Sequence, residues 1–401
     1  MLLAAGFGGR MVPITFFRAK PALPFLNRPL LLRQLDHLAA AGIDEVVINL
    51  HHRPASLLAL LACAAGDEKA SRYENTEEVN ATTDAAAISG PTGAHRTDAD
   101  LPGPFRIGSL LVHVCLETEI LGTSGGLLGA AAHLAGDAPF LCLNSDCVCD
   151  VDLRTAVETH RRSGHDATMV VRPAASGDRF TPVWHDGRQV LGFGGATERL
   201  PAAPSVAAAT AVFTGIHVLE PRVLDRLPRG RSEFLPSLYA PMIATGSGPG
   251  IYLTDAAWYE VGTPDRYIAA QVELLPAGKL GLHRPWRATQ TRAQGPADGA
   301  ASSLIGDCCR IHPAAALGAG TVLGNDVQVG AAAHIERSVV LDGAIIGDGA
   351  RLNEVIVGPA TSIPPHADLA RTVVDRGVVP GDIPSRKRTA RMWEGLWRAD
   401  F

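Results

Sequence analysis

The 401-residue sequence predicts a mixed α/β chain: a mainly parallel sheet with helices on both faces, followed by a left-handed parallel β-helix. Three observations point there. Short apolar runs alternate with helical patterns over the first two-thirds of the chain. A glycine-rich turn follows the first apolar run directly. A six-residue aliphatic period then runs without a miss from Ile305 to Leu341.

Met1–Ala5 reads as a buried strand that enters a loop containing Gly6, Gly8 and Gly9. Leu30–Ala41 reads as an amphipathic helix and Glu45–Leu50 as the next strand. Pro139–Leu143 is a further strand, leading into Asn144-Ser145-Asp146. Asp152–Ser163 reads as a helix and Ala167–Arg172 as a strand. This order implies a Rossmann-like sheet with ligands at the carboxyl ends of its strands. The loops after Ala5 and Leu143 are therefore the places to expect a site. Residues 68–104 are polar and aperiodic and read as an insertion into a domain spanning 1–275. Residues 276–301 read as a linker.

Ile305, Ile311, Leu317, Leu323, Val329, Ile335 and Leu341 recur every six residues. The period then slips by one and resumes at Ile346 and Leu352. No amphipathic helix sustains a period of six. Apolar residues facing a coil axis do, and this assigns 302–375 to a β-helix. Its open edges call for a cap or a second copy of the chain, so a homo-oligomer formed through the β-helix is expected. The tail, 376–401, is basic and then carries Trp393 and Trp397 at helical spacing, which predicts a small docking helix.

Hydrophobic residues make up 46% of the chain, enough for a packed core. The formal net charge of −5 argues against nucleic acid or an anionic membrane as partner. An anionic substrate must then be held by a local basic site. No apolar run reaches membrane-spanning length, and the apolar start lacks the basic and extended apolar regions of a signal peptide. The seven cysteines form no Cys-x-x-Cys pair, so buried thiols in a reducing cytoplasm are expected rather than zinc ligands. Lysine occurs only at positions 20, 69, 279 and 387, so a site needing one has few candidates.

The first loop is neither a P-loop, which would need Gly-Lys-Ser/Thr, nor a dinucleotide fingerprint, because Met11 stands where a third glycine is required. Its glycines still let backbone N–H groups close around an anion, with Arg10 and Lys20 supplying positive charge. Gly6, Gly8, Arg10, Met11, Pro13, Ile14, Thr15, Lys20 and Pro21 match a signature Gly-x-Gly-x-Arg-hydrophobic-x-Pro-hydrophobic-Thr followed by Lys-Pro. In this the sequence resembles the nucleotide-sugar pyrophosphorylases, a family of sugar-1-phosphate nucleotidyltransferases. Its motif style is closest to guanylyltransferase-like members with a C-terminal hexapeptide-repeat domain.

The resemblance implies that Ala4, Ala5, Gly6, Gly8 and Gly9 line the nucleotide and that Arg10 and Lys20 are the catalytic cations at its phosphates. Glu119–Gly126 resembles the family's Leu-Gly-Thr-Ala-Gly loop, which implies Gly122, Thr123 and Gly125 on the base side and favours guanylyl or uridylyl transfer. Asn144-Ser145-Asp146 resembles a strand-end Asn-Gly-Asp, and Trp258–Tyr267 a closing Trp-x-Asp-Ile-Gly-Thr-Pro. Together they imply Asp146 and Glu260 as ligands of Mg²⁺. Gly215 and Thr263 fall beside the sugar phosphate. The family's Phe-x-Glu-Lys-Pro is replaced here by Phe193-Gly194-Gly195-Ala196-Thr197, so Arg199 or Arg179 would have to stand in for the lysine.

The implied reaction joins a nucleoside triphosphate and a sugar 1-phosphate, releasing pyrophosphate. The lost Glu-Lys pair and Glu at 260 also support a second expectation, a regulatory homologue that binds nucleotide-sugar and acts through its β-helix.

Overall fold

The computed structural model describes residues 1–67, 103–194, 208–275, 303–376 and 390–401. Residues 68–102 of the expected insertion, the linker at 276–301 and Arg199 lie outside the described residues. The chain divides into two compact units, Met1–Gly6 with Gln34–Trp258 and Phe7–Arg33 with Tyr259–Phe401. Among the described residues no helix is long and apolar enough to cross a membrane.

The first unit is mixed α/β around a parallel-rich, Rossmann-like sheet. Its strands lie in the order Val190–Phe193, Pro182–His185, Ala209–Leu219, Phe140–Asn144, Leu2–Leu3, Glu45–Leu50, Leu110–Leu116 and Phe105–Ile107. The four from Phe140–Asn144 to Leu110–Leu116 are mutually parallel. Ala209–Leu219 runs antiparallel to Phe140–Asn144 and also pairs with Ala167–Pro173, which in turn takes Gly250–Leu253 in parallel. Leu2–Leu3 therefore has the next strand in sequence on one side and a later one on the other. Such a switch point opens a crevice at the carboxyl ends of the strands.

Local sequence explains the flanking helices. Leu30–Ala40 buries Leu31, Leu35 and Leu38, a helical spacing that gives it one apolar face. Leu153–Ser163 starts where the Asp152 carboxylate accepts the Thr155 N–H at 3.0 Å. It ends at Gly164, whose φ of +71° closes the last turn.

In the second unit the repeat region forms parallel strands in which every third strand pairs. Leu304–Ile305 pairs with Val322–Leu323, Arg310–Ile311 with Gln328–Val329, and Ala316–Leu317 with His334–Glu336. The register is Ile305↔Leu323, Ile311↔Val329 and Leu317↔Ile335, three hexapeptides per turn. Leu323, Val329, Ile335, Ile346, Leu352, Ile363 and Leu369 share one buried cluster.

Two expectations are corrected here. The period slips one step earlier than the sequence suggests: Leu323 pairs with Val340, not Leu341. Arg337 adopts φ +46° and shortens the corner that precedes this strand, while Leu341 is buried after it. The tail is not a helix either. Arg391–Trp393 and Leu396–Asp400 form an antiparallel hairpin joined by Glu394-Gly395. Both turn residues have positive φ, 46° and 78°, the twist that suits a two-residue hairpin. The second hairpin strand pairs with Asp368–Asp375 and so caps the last rung of one ladder.

Ile335 is fully buried in the repeat region. Ile335→Ala is expected to cost about 2–5 kcal/mol, because the surrounding rungs cannot collapse on the cavity. Denaturant unfolding followed by far-UV circular dichroism checks this, and an unchanged midpoint would contradict the inward placement.

Candidate active site

At the strand ends of the first unit, a buried polar relay joins three elements. The Ala4 N–H donates to Asn49 Oδ1 at 2.8 Å. Asn49 Nδ2 donates to Glu117 Oε1 at 2.6 Å, and Glu117 Oε2 accepts the Leu121 N–H at 3.0 Å. Asn49 and Glu117 are both buried. A buried carboxylate is tolerable only when it is hydrogen-bonded in this way. The relay ties the residue after the central strand to the start of the helix Gly122–Gly129. Sequence reasoning missed both residues. The only signal was polarity in apolar strands, at Asn49 inside Val46–Leu50 and at Glu117 just after Leu116.

The Gly122–Gly125 segment packs against the backbone at 230–233. A Cβ on Gly122 would lie 2.5 Å from the Ser232 carbonyl oxygen, and one on Gly125 2.6 Å from that of Gly230. The Thr123 N–H and hydroxyl both donate to Glu233 Oε2, at 3.0 and 2.7 Å. These residues thus have packing reasons for their identity in addition to the role the family pattern implies.

Across the switch point, Ser145 Oγ donates to the Leu3 carbonyl at 2.6 Å, locking the turn that carries Asp146 to the central strand. The serine that replaces the family's glycine therefore adds a bond. Asp146 is half-buried in that turn. Gly215, at φ +84°, leaves room for the Asn144 side chain. Trp258 Nε1 donates to the neighbouring Thr214 carbonyl at 2.7 Å. Arg172 stacks over Trp258 and Phe180, at 5.4 and 5.9 Å, and forms a two-pronged pair with Asp178. This cation at a strand end also escaped the sequence reading. Arg179 is exposed.

The second unit holds Gly8, Gly9, Arg10, Lys20, Glu260 and Thr263. The Gly8 carbonyl accepts the Met11 N–H at 2.8 Å and the Thr15 hydroxyl at 3.1 Å. Gly8 has φ +61° and lies close to Thr15 and Lys20, so only glycine fits. A Cβ on Gly6, in contrast, would meet nothing within 4 Å. Arg10 projects from this turn, 57% exposed, and its NH2 lies 3.0 Å from Glu260 Oε1. The other Glu260 oxygen accepts from Arg266. Gly262 lets the pair sit this close, since a Cβ there would push on the tips of both Glu260 and Arg10. One carboxylate thus orients two guanidinium groups, leaving a net positive charge. Thr263 stands at the N-terminus of the helix Pro264–Leu274.

A nucleotidyl transferase family model matches residues 1–276, more than half the chain. This chain belongs to the nucleotidyl transferase family. A second model, the GMPPB C-terminal domain, matches residues 300–382. Among relatives of this chain, the mannose-1-phosphate guanyltransferase of Emericella nidulans is 26% identical over 67% of this chain and 62% of its own length. The chain therefore spans less than two-thirds of that relative. Mannose-1-phosphate guanylyltransferase 1 of Arabidopsis thaliana and the probable mannose-1-phosphate guanylyltransferase 2 of Oryza sativa subsp. japonica are each 24% identical, over 93% of this chain and 85% of theirs.

Removing the relay's carboxylate by Glu117→Ala orphans the buried Asn49 amide and the Leu121 N–H. A loss of about 2–4 kcal/mol in unfolding free energy is expected. Urea unfolding measures it, and a loss under about 1 kcal/mol would show that the relay is not essential to the loop.

Proposed function

We propose that this chain transfers a nucleotidyl group from a nucleoside triphosphate to a sugar 1-phosphate, forming a nucleotide-sugar of the GDP-mannose type and pyrophosphate. The observation that carries the reading is the glycine turn leaving the central strand of a parallel sheet, with Arg10 held by Glu260 beside it. The printed names of the relatives supply the guanylyl and mannose 1-phosphate specificity.

A sugar phosphate oxygen attacks the α-phosphorus in line as the bond to the bridging oxygen breaks and pyrophosphate departs. The nucleophile is already an anion, so no protein nucleophile or strong base is needed. The chain's task is to hold two anions together and to stabilise the charge that moves onto pyrophosphate. Arg10 and Lys20 serve the nucleotide phosphates. The open space over Gly6 lets backbone N–H groups approach them closely. Ala4 and Ala5 continue this lining, Gly9 belongs to the same turn, and Gly122, Thr123 and Gly125 serve the base side. Gly215, Thr263 and Arg199 serve the sugar phosphate. Arg172 and Arg179 are further cations for it, and a guanidinium suits phosphate bidentately.

Mg²⁺ keeps several waters and takes one or two carboxylates together with phosphate oxygens. Asp146, in the turn fixed by Ser145, fits that chemistry. Glu260 fits it once a phosphate draws a guanidinium away from it. When bound, the ion would neutralise phosphate charge.

The engagement of both Glu260 oxygens by arginines also favours the second reading, a nucleotide-sugar-binding regulator. The stacked parallel strands and hexapeptide register support a left-handed β-helix for the repeat region. The edge at Leu304–Ile305, which pairs on one side alone among the described residues, is the surface through which copies of the chain would associate. No disulfide joins the seven cysteines, which suits a cytoplasmic enzyme, although Cys63 and Cys308 are exposed and not buried as expected.

Arg10→Ala and Asp146→Ala are each expected to lower turnover about 10²-fold or more with circular dichroism unchanged. Pyrophosphate release from GTP and mannose 1-phosphate measures this. Wild-type rates in both variants would overturn the assignment. Nucleotide-sugar binding without release in the wild type would favour the regulator.

A further inference from the structure

We propose that Asp375 is a positioning residue for nucleotidyl transfer: from the last strand of the repeat region it holds, through Arg18, the loop that carries Arg10 and Lys20. The inference rests on the transferase reading above. It concerns contacts within the second unit, where Phe7–Arg33 and Tyr259–Phe401 fold together.

Arg18 NH2 lies 3.2 Å from Asp375 Oδ2, and the Asp375 side chain is fully buried. The other carboxylate oxygen is fixed by its own surroundings. It accepts the Arg376 N–H at 2.9 Å and the Thr361 hydroxyl at 3.4 Å. Gly358 makes room for it, since a Cβ there would lie 2.1 Å from Oδ1. The carboxylate is therefore hydrogen-bonded through one oxygen, and the other, which accepts no hydrogen bond, faces Arg18 of the loop as a charge. Beside the pair, Phe16 meets Trp397 edge to face, with centroids 5.7 Å apart. Further along, the Leu26 N–H donates to Gln271 Oε1 at 2.9 Å and Asn27 Nδ2 to the Leu323 carbonyl at 2.7 Å.

A shift at Arg18 reaches the proposed phosphate-binding residues by short routes. Lys20 is two residues on, at the start of the 3₁₀ turn Lys20–Ala22. Thr15, three residues back, bonds the Gly8 carbonyl and so sets the turn from which Arg10 projects. A buried ion pair adds little net stability compared with apolar packing. What it supplies is a buried electrostatic tether, because Asp375 Oδ2 draws the Arg18 charge without accepting a hydrogen bond, and transfer chemistry is sensitive to displacements of about 1 Å.

The pair also carries a pH signature. Burial pushes the Asp375 carboxyl up to about 6, against the opposing pull of Arg18 and Arg376. Tyr267 also faces Arg18, and burial pushes its phenol up, so it stays neutral. Arg398 on the adjoining strand is engaged by Asp400 at 2.9 Å. Because the folded value lies above the unfolded one, ionisation of Asp375 lowers global stability as pH rises from about 4 to about 6. In the folded chain the carboxyl ionises around pH 6, so the ion pair that positions the loop forms at the upper end of that window. Stability from this group and activity therefore run in opposite directions, which a merely structural pair would not produce.

The test measures kcat and KM for the nucleoside triphosphate from about pH 5 to 8, in the full-length wild type, Asp375→Asn and Asp375→Glu. The wild type is expected to gain kcat/KM as pH rises through about 6. Asp375→Asn should lose at least ~10-fold in kcat/KM at neutral pH, mainly through KM, and lose that pH step, while Asp375→Glu recovers part of the rate. Wild-type kcat/KM and an unchanged step in Asp375→Asn would overturn the proposal. If that variant does not fold, hydrogen–deuterium exchange in the wild type decides. Amides of residues 14–23 should gain protection, relative to intrinsic rates, over the same pH step, and constant protection would overturn the proposal. A wild type that shows no transfer at all would sink the transferase reading instead, leaving the exchange measurement to judge the positioning.

Discussion

The glycine turn's guanidinium, Arg10, is held in place by Glu260, and the proposed phosphate role depends on that hold. The same carboxylate also holds Arg266, so one negative charge organises two positive ones. The cluster stays cationic and partly exposed, which draws in a polyanion without a large basic surface. This reconciles a chain of net charge −5 with anionic substrates. It also explains why Gly262 follows so closely, since a Cβ there would push on the tips of both partners. On the proposed function Arg10 would exchange Glu260 for phosphate, which its exposed and therefore weak pairing allows.

The chain that supplies Arg10 leaves the sheet immediately after a two-residue strand, Leu2–Leu3. So short a strand cannot by itself hold a loop that runs to residue 33. The loop instead takes its contacts from the Tyr259–Phe401 segment of the second unit: Gln271, Leu323, Asp375 and Trp397. The repeat region is thus a part of the support for the glycine turn and more than an appendage to the fold.

Much of this was legible in the sequence, for identifiable reasons. Strands such as Glu45–Leu50 and the hexapeptide ladder announce themselves through periodicity, because burial on a regular backbone repeats regularly. The glycine turn and its cations were visible as a dense local pattern. What escaped was long-range or strained. Asn49 and Glu117 lie 68 positions apart and mean nothing until a parallel sheet aligns their strand ends. Arg18 and Asp375 sit in unremarkable local contexts at opposite ends of the chain. The hairpin at Glu394-Gly395 was hidden by Trp393 and Trp397, whose spacing of four suits a helix but here falls across a two-residue turn. The early slip at Arg337 depends on a positive φ that a non-glycine residue does not advertise.

On the proposed function this chain reversibly joins a nucleotide to a sugar phosphate. Exchange of radiolabelled pyrophosphate into nucleoside triphosphate, with nucleotide-sugar and Mg²⁺ present, tests it most directly because label enters only if the transfer step runs in reverse. Exchange is expected to depend on one matching nucleotide-sugar and to disappear in Arg10→Ala. Tight binding of that nucleotide-sugar with no label incorporated would contradict it.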